Sequence, residues 1–132
     1  VICSIDLFPT VAAAAGATVR HKIDGIDLRP ALEGRALDRQ SLFWHYPHYS
    51  NQGGGPACAV REGSLKLVEW YEDGRVELFD LERDPGETRD LAAERPNDAA
   101  SLRSPLAAWR ASVDAKMPTP LVESSCGAGG LC

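Results

Sequence analysis

The sequence predicts an α+β fold, a small four-stranded antiparallel sheet with a C-terminal helix packed on it and two helices ahead of it. Between residues 42 and 81, four short runs rich in aromatic and β-branched residues alternate with turns rich in Gly or charge. Segments with helix start and stop signals precede these runs, and apolar residues at helical spacing follow them. The runs are short and closely spaced, which favours a meander in which each strand pairs with its sequence neighbours.

The two leading helices have the same start and stop signals, an early Pro and a terminal Gly. We expect the first to run from Ser4 to Gly16 with Asp6 as its cap, and the second from Asp27 to Gly34. The first has a broad apolar stripe that so small a sheet has no obvious room to cover, so we expect it to pack against something outside this chain. The alternative is that the helix folds back on the second face of the sheet.

The four predicted strands are joined by two tight links and one long one. They are Leu42–Tyr46, Ala57–Arg61, Leu65–Tyr71 and Val76–Leu81. Glu62-Gly63-Ser64 forms one tight link, and Asp73-Gly74 forms the other, which predicts a primed hairpin turn. The long link, from Pro47 to Pro56, is polar and contains three consecutive glycines. Such a loop is suited to face a ligand, so any working surface is expected there.

The chain after the sheet is predicted to end in one long helix. Residues 82 to 87 read as a turn in which Gly86 takes a positive φ, and one helical turn follows. The last helix begins at Asn97 or at Ser104, and Pro105 lies inside it only if it begins at Asn97. One helix face is then formed by Leu102, Leu106, Trp109 and Val113.

Composition excludes several classes of protein. A net charge of −5 and a pI near 5.1 argue against nucleic-acid binding, which needs a concentrated basic face. No apolar stretch approaches the roughly 18 residues of a membrane span. The chain begins abruptly at Val1, which suggests a piece of a longer polypeptide. Of the four cysteines, Cys3 and Cys58 are expected in the core, and the two in the tail have no metal-ligand spacing.

Taken together, the motifs resemble the C-terminal part of a type I sulfatase, arylsulfatase-like, of the alkaline phosphatase superfamily. Their shared order and spacing make the match specific from residue 4 to about residue 120, and the tail departs from the pattern. The segments that carry the resemblance are Ser4–Thr10, Asp24–Pro30, Leu42–Tyr49, Ala59–Leu67, Glu77–Leu81, Asp84–Thr88 and Leu91–Ala92.

The resemblance implies that the complete enzyme hydrolyses sulfate esters with a formylglycine nucleophile and calcium or another divalent metal. In the family, formylglycine is made from the Cys of a C-x-P/A-S/A-R sequence, and Asp and Asn residues hold the metal. None of the cysteines here fits that pattern, and no Asp and Asn cluster has ligand spacing. This segment therefore has no catalytic or metal-binding residue of its own and is expected to be inactive alone.

The resemblance also implies an organisation into three parts. Residues 1–40 end the α/β catalytic domain, residues 41–120 form the C-terminal sheet and helix, and residues 121–132 form a disordered tail. The implied partners are the N-terminal catalytic domain and a sulfated small molecule or carbohydrate. Family habit implies a periplasmic or extracellular location.

The candidate substrate-binding residues are His45, His48, Tyr49 and Asn51, since the loop after the first of these strands can form one wall of a sulfatase substrate pocket. Imidazole donates to sugar hydroxyls or anions, and tyrosine stacks on sugars. The alternative for His45 is a core-facing residue bonded to a backbone carbonyl, and for His48 a solvated loop residue. Arg61 is expected to pair with Glu62 or Glu77 rather than with an anion.

Two other functions remain open. One is a related phosphatase or phosphodiesterase of the same superfamily, which the nucleophile upstream of Val1 would distinguish. The other is an autonomous carbohydrate-binding module, which would be soluble and unfold cooperatively by itself, whereas a fragment of a larger enzyme would aggregate.

Overall fold

The structure is a computed structural model that describes residues 1 to 119, and it confirms the predicted fold class. Four strands form one antiparallel sheet in the order β1-β2-β3-β4, so every strand pairs only with its sequence neighbours. The strands are β1 (Ser41–Tyr46), β2 (Ala57–Glu62), β3 (Leu65–Trp70) and β4 (Val76–Asp80). Each strand end lies within one residue of its predicted place.

Three helices flank the sheet. They are α1 (Leu7–Ala14), which follows a single 3₁₀ turn (Ser4–Asp6), α2 (Arg29–Leu32) and α3 (Pro96–Ser112). Gly16 and Gly34 follow the first two helices with φ of 69° and 75°, as expected of glycines that end helices. No helix in the described part of the chain is long and apolar enough to cross a membrane.

Helix α3 covers one face of the sheet and forms the core with it. Paired positions Phe43, Val60, Leu67 and Leu78 make one row across the four strands. Leu102 and Leu106 of α3 are buried against this row, and Trp109 stacks on Phe43 with ring centroids 5.1 Å apart. The predicted stripe of α3 is therefore confirmed for its first three members. Val113 was wrongly placed on it, because the helix ends at Ser112 and Val113 is 52% exposed.

Helix α3 takes the longer of its two predicted forms. It begins at Pro96, one residue before Asn97, and it contains Pro105. A proline at the first position costs no hydrogen bond, whereas Pro105 cannot donate to the carbonyl of Ser101 one turn earlier.

Two turn predictions were wrong in detail. Gly74 has a φ of 69°, but Asp73 does not have a positive φ, so this link is not a primed two-residue turn. It is a longer loop, closed by hydrogen bonds from the Gly74 N–H to the Trp70 carbonyl and from the Trp70 N–H to the Arg75 carbonyl. In the turn after β4, the positive φ falls on Glu87 (54°) rather than on Gly86. The Glu87 carboxylate is held by the Lys66 ammonium at 2.6 Å.

Asp6 has a different role from the predicted helix cap. Its side chain makes no capping bond to α1. Its carboxylate instead accepts hydrogen bonds from the Arg39 guanidinium at 2.6 Å and from the backbone N–H groups of Cys3 at 2.8 Å and Ile26 at 3.0 Å. The side chains of Asp6 and Arg39 are 0% and 8% exposed, so this ion pair is buried. The Arg39 hydrogen bonds lower the pKa of Asp6 to about 2.

The apolar stripe of α1 is left uncovered by the described part of the chain. Leu7, Phe8 and Val11 are 61%, 56% and 66% exposed. The alternative that α1 folds back on the second face of the sheet is therefore wrong. That face, opposite α3, also presents Trp44 and Tyr46 to solvent. The α1 stripe thus lacks a covering layer within residues 1 to 119, and the second face of the sheet is covered only in part, since Leu42 and Phe79 on it are buried.

Candidate functional site

A groove of about 760 Å³ lies at the end of the sheet where β1 leads into β2. It lies between the first part of the long loop and the segment that follows α3, and the start of the β3–β4 link contributes as well. Its lining residues are Pro47, His48, Tyr49, Pro56, Tyr71, Glu72, Lys116, Met117, Pro118 and Thr119.

The long loop is an ordered wall of this groove. The Ser50 N–H donates to the Gly54 carbonyl at 2.7 Å, and the Gly53 N–H donates back to the Ser50 carbonyl at 3.1 Å. Gly53 has a φ of 94°, which favours glycine there. A Cβ on Gly55 would lie 3.4 Å from the Trp70 ring, so the returning chain passes close to β3. These contacts fix the direction in which His48 and Tyr49 leave β1.

The structure brings two of the four predicted substrate-binding residues together in the groove, namely His48 and Tyr49. His48 is exposed, and Tyr46 packs edge-on against its ring with centroids 5.7 Å apart. The Tyr49 hydroxyl donates to the Glu72 carboxylate at 2.7 Å, and this hydrogen bond raises the pKa of Tyr49. Asn51 is exposed in the loop but does not line the groove.

His45 lies behind the groove on the face of β1 that meets α3, and its two ring nitrogens have partners within the chain. Nδ1 is 2.6 Å from the Tyr71 hydroxyl, and Nε2 is 2.9 Å from the Lys116 carbonyl oxygen. A carbonyl oxygen only accepts, so Nε2 carries the hydrogen and the Tyr71 hydroxyl donates to Nδ1 in the neutral ring. In this conformation no ring nitrogen of His45 is left for a substrate.

Tyr71 joins His45 to a cluster of polar groups between the sheet and α3. Burial raises the pKa of its hydroxyl to about 12. The Arg110 guanidinium lies over its ring at 5.8 Å and donates to the Cys58 sulfur at 3.3 Å. Burial also raises the pKa of the Cys58 thiol, which makes this cysteine a structural rather than a reactive group. Glu69 is neutralised by Arg110 at 3.7 Å and by Arg103 at 3.3 Å.

Sequence reasoning missed the part of the groove that comes from distant segments, including Glu72, Lys116 and Met117. Glu72 could have been found, because antiparallel pairing places Ala57 opposite Trp70 and so brings residues 71 and 72 beside Pro56. Nothing in the sequence indicates that the chain after α3 returns to β1. That return depends on the length of α3 and on the acceptor that the Lys116 carbonyl offers to His45.

A second, smaller site of about 370 Å³ lies on the sheet face opposite α3. Its lining residues are Trp44, Ala59, Arg61, Lys66, Leu81 and Glu87. The predicted pairing of Arg61 with Glu62 or Glu77 was wrong. Among the described residues Arg61 donates to the Gly63 carbonyl at 3.3 Å, while Glu62 accepts from Ser41 and Glu77 pairs with Arg75.

The described residues do not fit the metal or the formylglycine of a sulfatase centre. Within residues 1 to 119 no group of three or more His, Cys, Asp or Glu side chains is placed to hold a metal ion. Cys58 is buried, and Cys3 is partly buried beside the Asp6 ion pair. The other two cysteines, Cys126 and Cys132, lie outside the described residues, as does the predicted tail.

The groove has the chemistry of a binding wall rather than of a reactive centre. Prolines, Met117 and the tyrosine rings provide apolar surface, which suits the C–H face of a sugar or an aryl group. His48 offers a hydrogen-bond donor, and Lys116 offers donors and positive charge. Lys116 pairs with Asp114, but both side chains are more than four-fifths exposed, so the pairing is weak.

Comparison with known proteins gives one family and several enzymes. The family model described as N-sulphoglucosamine sulphohydrolase, C-terminal, matches residues 1–110. A sulfatase of Formosa agariphila is 31% identical over 93% of this chain, which covers 25% of that protein. The structure of BT4656 in complex with its substrate D-glucosamine-2-N,6-O-disulfate superposes on 86% of this chain with a TM-score of 0.70 and 26% identity, covering 24% of that chain.

A phosphonate monoester hydrolase from Silicibacter pomeroyi contains a region with a similar fold. Its structure superposes on 81% of this chain with a TM-score of 0.60 and 27% identity, over 24% of its length. In all three proteins this chain corresponds to about a quarter of the polypeptide.

Proposed function

Because this chain belongs to the N-sulphoglucosamine sulphohydrolase C-terminal family, we propose that it is the C-terminal part of an enzyme that hydrolyses sulfate esters. The chain spans about a quarter of the length of the curated relative that it matches. The nucleophile and metal ligands of the complete enzyme, formylglycine and calcium or another divalent metal, would then lie outside residues 1 to 119. This segment contributes structure and one wall of the substrate pocket.

The proposal for substrate binding rests on the groove at the end of the sheet. This groove is the one place in residues 1 to 119 where an exposed imidazole, an anchored tyrosine and apolar walls converge. His48 donates to a hydroxyl or to an anionic group of the substrate, and the ring of Tyr49, held by Glu72, packs on its apolar face. Asn51 is a weaker candidate, because its loop position lies beyond the groove lining. The proposed substrate is a sulfated small molecule or carbohydrate.

The test is a kinetic comparison of His48→Ala with the wild type in the complete protein, with para-nitrophenyl sulfate as the probe. Loss of one hydrogen bond to an anionic substrate should raise KM by about tenfold and leave kcat within about twofold. His21→Ala is the matched control, since His21 is also exposed but lies outside the groove. Unchanged KM in His48→Ala would remove His48 as a substrate contact.

A second candidate activity is phosphonate or phosphate ester hydrolysis, which the similarity to the phosphonate monoester hydrolase favours. The complete protein should be assayed in parallel with para-nitrophenyl sulfate and para-nitrophenyl phenylphosphonate. A much larger kcat/KM for the phosphonate would replace the sulfatase proposal. The groove would bind that substrate in the same way, because both esters carry an anionic group and an aryl group.

The proposed partner of this segment is the catalytic domain of its own polypeptide. The uncovered stripe of α1 and the second face of the sheet are the surfaces that such a domain would cover. In this proposal residues 1–40 close the catalytic domain and residues 41–120 form the C-terminal unit. Export to the periplasm or the extracellular space is part of the same proposal and follows from the family resemblance.

A further inference from the structure

His45 joins residues 116–119 to the sheet. These residues form the far wall of the groove, and the long loop with His48 forms the near wall. The Nε2 of His45 donates to the Lys116 carbonyl oxygen at 2.9 Å. Among the hydrogen bonds of the described residues, this one alone joins residues 116–119 to the sheet, and the same residues form one side of the groove. A wall held by one hydrogen bond should depend strongly on it, because the rest of this segment is exposed or only partly buried.

Tyr71 holds the His45 ring in place on the side away from Lys116. The Tyr71 hydroxyl donates to His45 Nδ1 at 2.6 Å, which leaves the hydrogen of the neutral ring on Nε2, facing Lys116. Burial keeps the Tyr71 phenol protonated, since its pKa is raised to about 12. The His45 and Tyr71 rings also pack edge to face, with centroids 5.5 Å apart. Tyr71 therefore fixes both the tautomer and the orientation of His45.

We propose that His45 is a positioning residue for the substrate groove, which acts by holding the Lys116 carbonyl rather than by touching substrate. This inference rests on the proposed function of the groove. It assigns different roles to two histidines only three positions apart. His48 contacts the substrate from the near wall, and His45 sets the distance to the far wall. Loss of His45 should weaken substrate binding and leave the chemical step intact.

The Lys116 carbonyl belongs to the peptide bond that trypsin cleaves after Lys116, so trypsin reports directly on the proposed contact. In the complete protein, His45→Ala should raise the cleavage rate at Lys116 by about fivefold, the effect of about one hydrogen bond. Cleavage after Lys22, in an exposed loop outside the groove, is the internal reference and should not change. His45→Gln, which keeps a side-chain N–H near the position of Nε2, should restore slow cleavage at Lys116.

Kinetics with para-nitrophenyl sulfate complete the test. His45→Ala should raise KM by about fivefold with kcat within about twofold, and His45→Gln should recover most of the loss. Tyr71→Phe retains the ring but not the donor, and it should show a smaller increase in Lys116 cleavage. This variant keeps the test valid if His45→Ala fails to fold.

The outcomes separate the two proposals. Unchanged Lys116 cleavage in His45→Ala and Tyr71→Phe would overturn the positioning role, whatever the kinetics. Faster cleavage with unchanged KM in His45→Ala, while His48→Ala raises KM, would also overturn it. Faster Lys116 cleavage with no KM effect in either His45→Ala or His48→Ala would support the structural contact but reject the groove as a substrate site.

Discussion

The Asp6 carboxylate shows how one side chain can fix a segment that has little regular structure. Between α1 and β1 the chain has only the four residues of α2 in a helix. Asp6 binds the N–H group of Ile26 and the guanidinium of Arg39, so it joins two distant points of this region to the start of the chain, where it also binds the Cys3 N–H. Gly25 lies against the Ile5 carbonyl beside it, where a Cβ would come within 2.0 Å of the oxygen.

Replacing Asp6 should therefore cost stability. Asp6→Asn leaves the buried Arg39 without its countercharge and should lower the free energy of unfolding by about 3 kcal/mol. Asp27→Asn is the matched control, since solvent screens the pairing of Asp27 with Arg29 and its loss should cost far less. Denaturant unfolding of the complete protein measures both. Equal losses in the two variants would contradict a structural role for the buried pair.

The same ion pair predicts how stability depends on pH. The pKa of Asp6 is about 2 in the folded chain and 3.8 in the reference state, so the folded state prefers the ionised carboxylate. Its contribution, about 2 kcal/mol, is present above pH 3.8 and is lost as pH falls towards 2. The denaturant concentration at the midpoint of unfolding should be measured from about pH 5 to pH 2.5. As pH is lowered, it should fall less steeply in Asp6→Asn than in wild type.

At the residue scale, sequence reasoning identified the important positions better than their partners. Asp6 was noticed as a cap because an Asp before an early Pro is typical of one. Its actual partner, Arg39, lies 33 positions away and belongs to no local pattern. The partner of His45 is equally hard to predict, because Lys116 is 71 positions away. Long-range side-chain bonds of this kind leave no periodic signal in a single sequence.

Helix α3 is the element that covers the core face of the sheet, and it contains a proline in its interior, where prolines are rare. Nine positions separate Pro96, at the first turn, from Pro105, in the interior. Both lack a donor, but only at Pro105 does that leave a carbonyl, that of Ser101, without its helical partner.

Pro105→Ala should therefore stabilise the protein. The new N–H can bond to the Ser101 carbonyl, and the gain in helix propensity should raise the free energy of unfolding by about 1 to 3 kcal/mol. Pro96→Ala is the control and should change stability by less than about 0.5 kcal/mol, because the first helical position needs no donor. A loss of stability in Pro105→Ala would indicate that the proline ring packs in the core.

At the element scale, most of the fold was predictable. Alternation and turn residues located all four strands to within a residue, and helical spacing located α3. The form of the turns was less predictable. The Asp73-Gly74 pair predicts a two-residue turn, yet the hydrogen bonds that close this link join Trp70 to Gly74 and to Arg75, so residues 71 to 74 all lie in the loop.

The molecule as a whole leaves two apolar surfaces exposed. Helix α3 covers one side of the sheet, while the α1 stripe and the β1 edge of the opposite side, with Trp44 and Tyr46, meet solvent. Exposed apolar patches of this kind mark surfaces that another protein or domain covers. This pattern favours a part of a larger enzyme over an autonomous binding module.

A charge placed in the α1 stripe should have opposite effects in the two contexts. Val11→Asp should make residues 1–132 alone less prone to self-association, because it interrupts an exposed apolar surface. In the complete protein it should lower the free energy of unfolding by about 2 kcal/mol or more, because the charge would be buried against the catalytic domain. Light scattering and denaturant unfolding measure these effects.

Lys22→Asp is the control for the effect of charge, since Lys22 lies in an exposed loop and this substitution changes the net charge by −2, against −1 in Val11→Asp. It should alter neither quantity appreciably. An unaffected complete protein in Val11→Asp would mean that the stripe of α1 is not covered there.

The neighbour-to-neighbour order of the strands also bears on how the polypeptide is made. No pairing in the sheet waits for a distant segment, so its hairpins can close one after another as they leave the ribosome. The last α-helix arrives afterwards to seal the finished surface. A nascent chain arrested once residue 81 has left the ribosomal exit tunnel should then already contain paired strands, before the final helix has emerged.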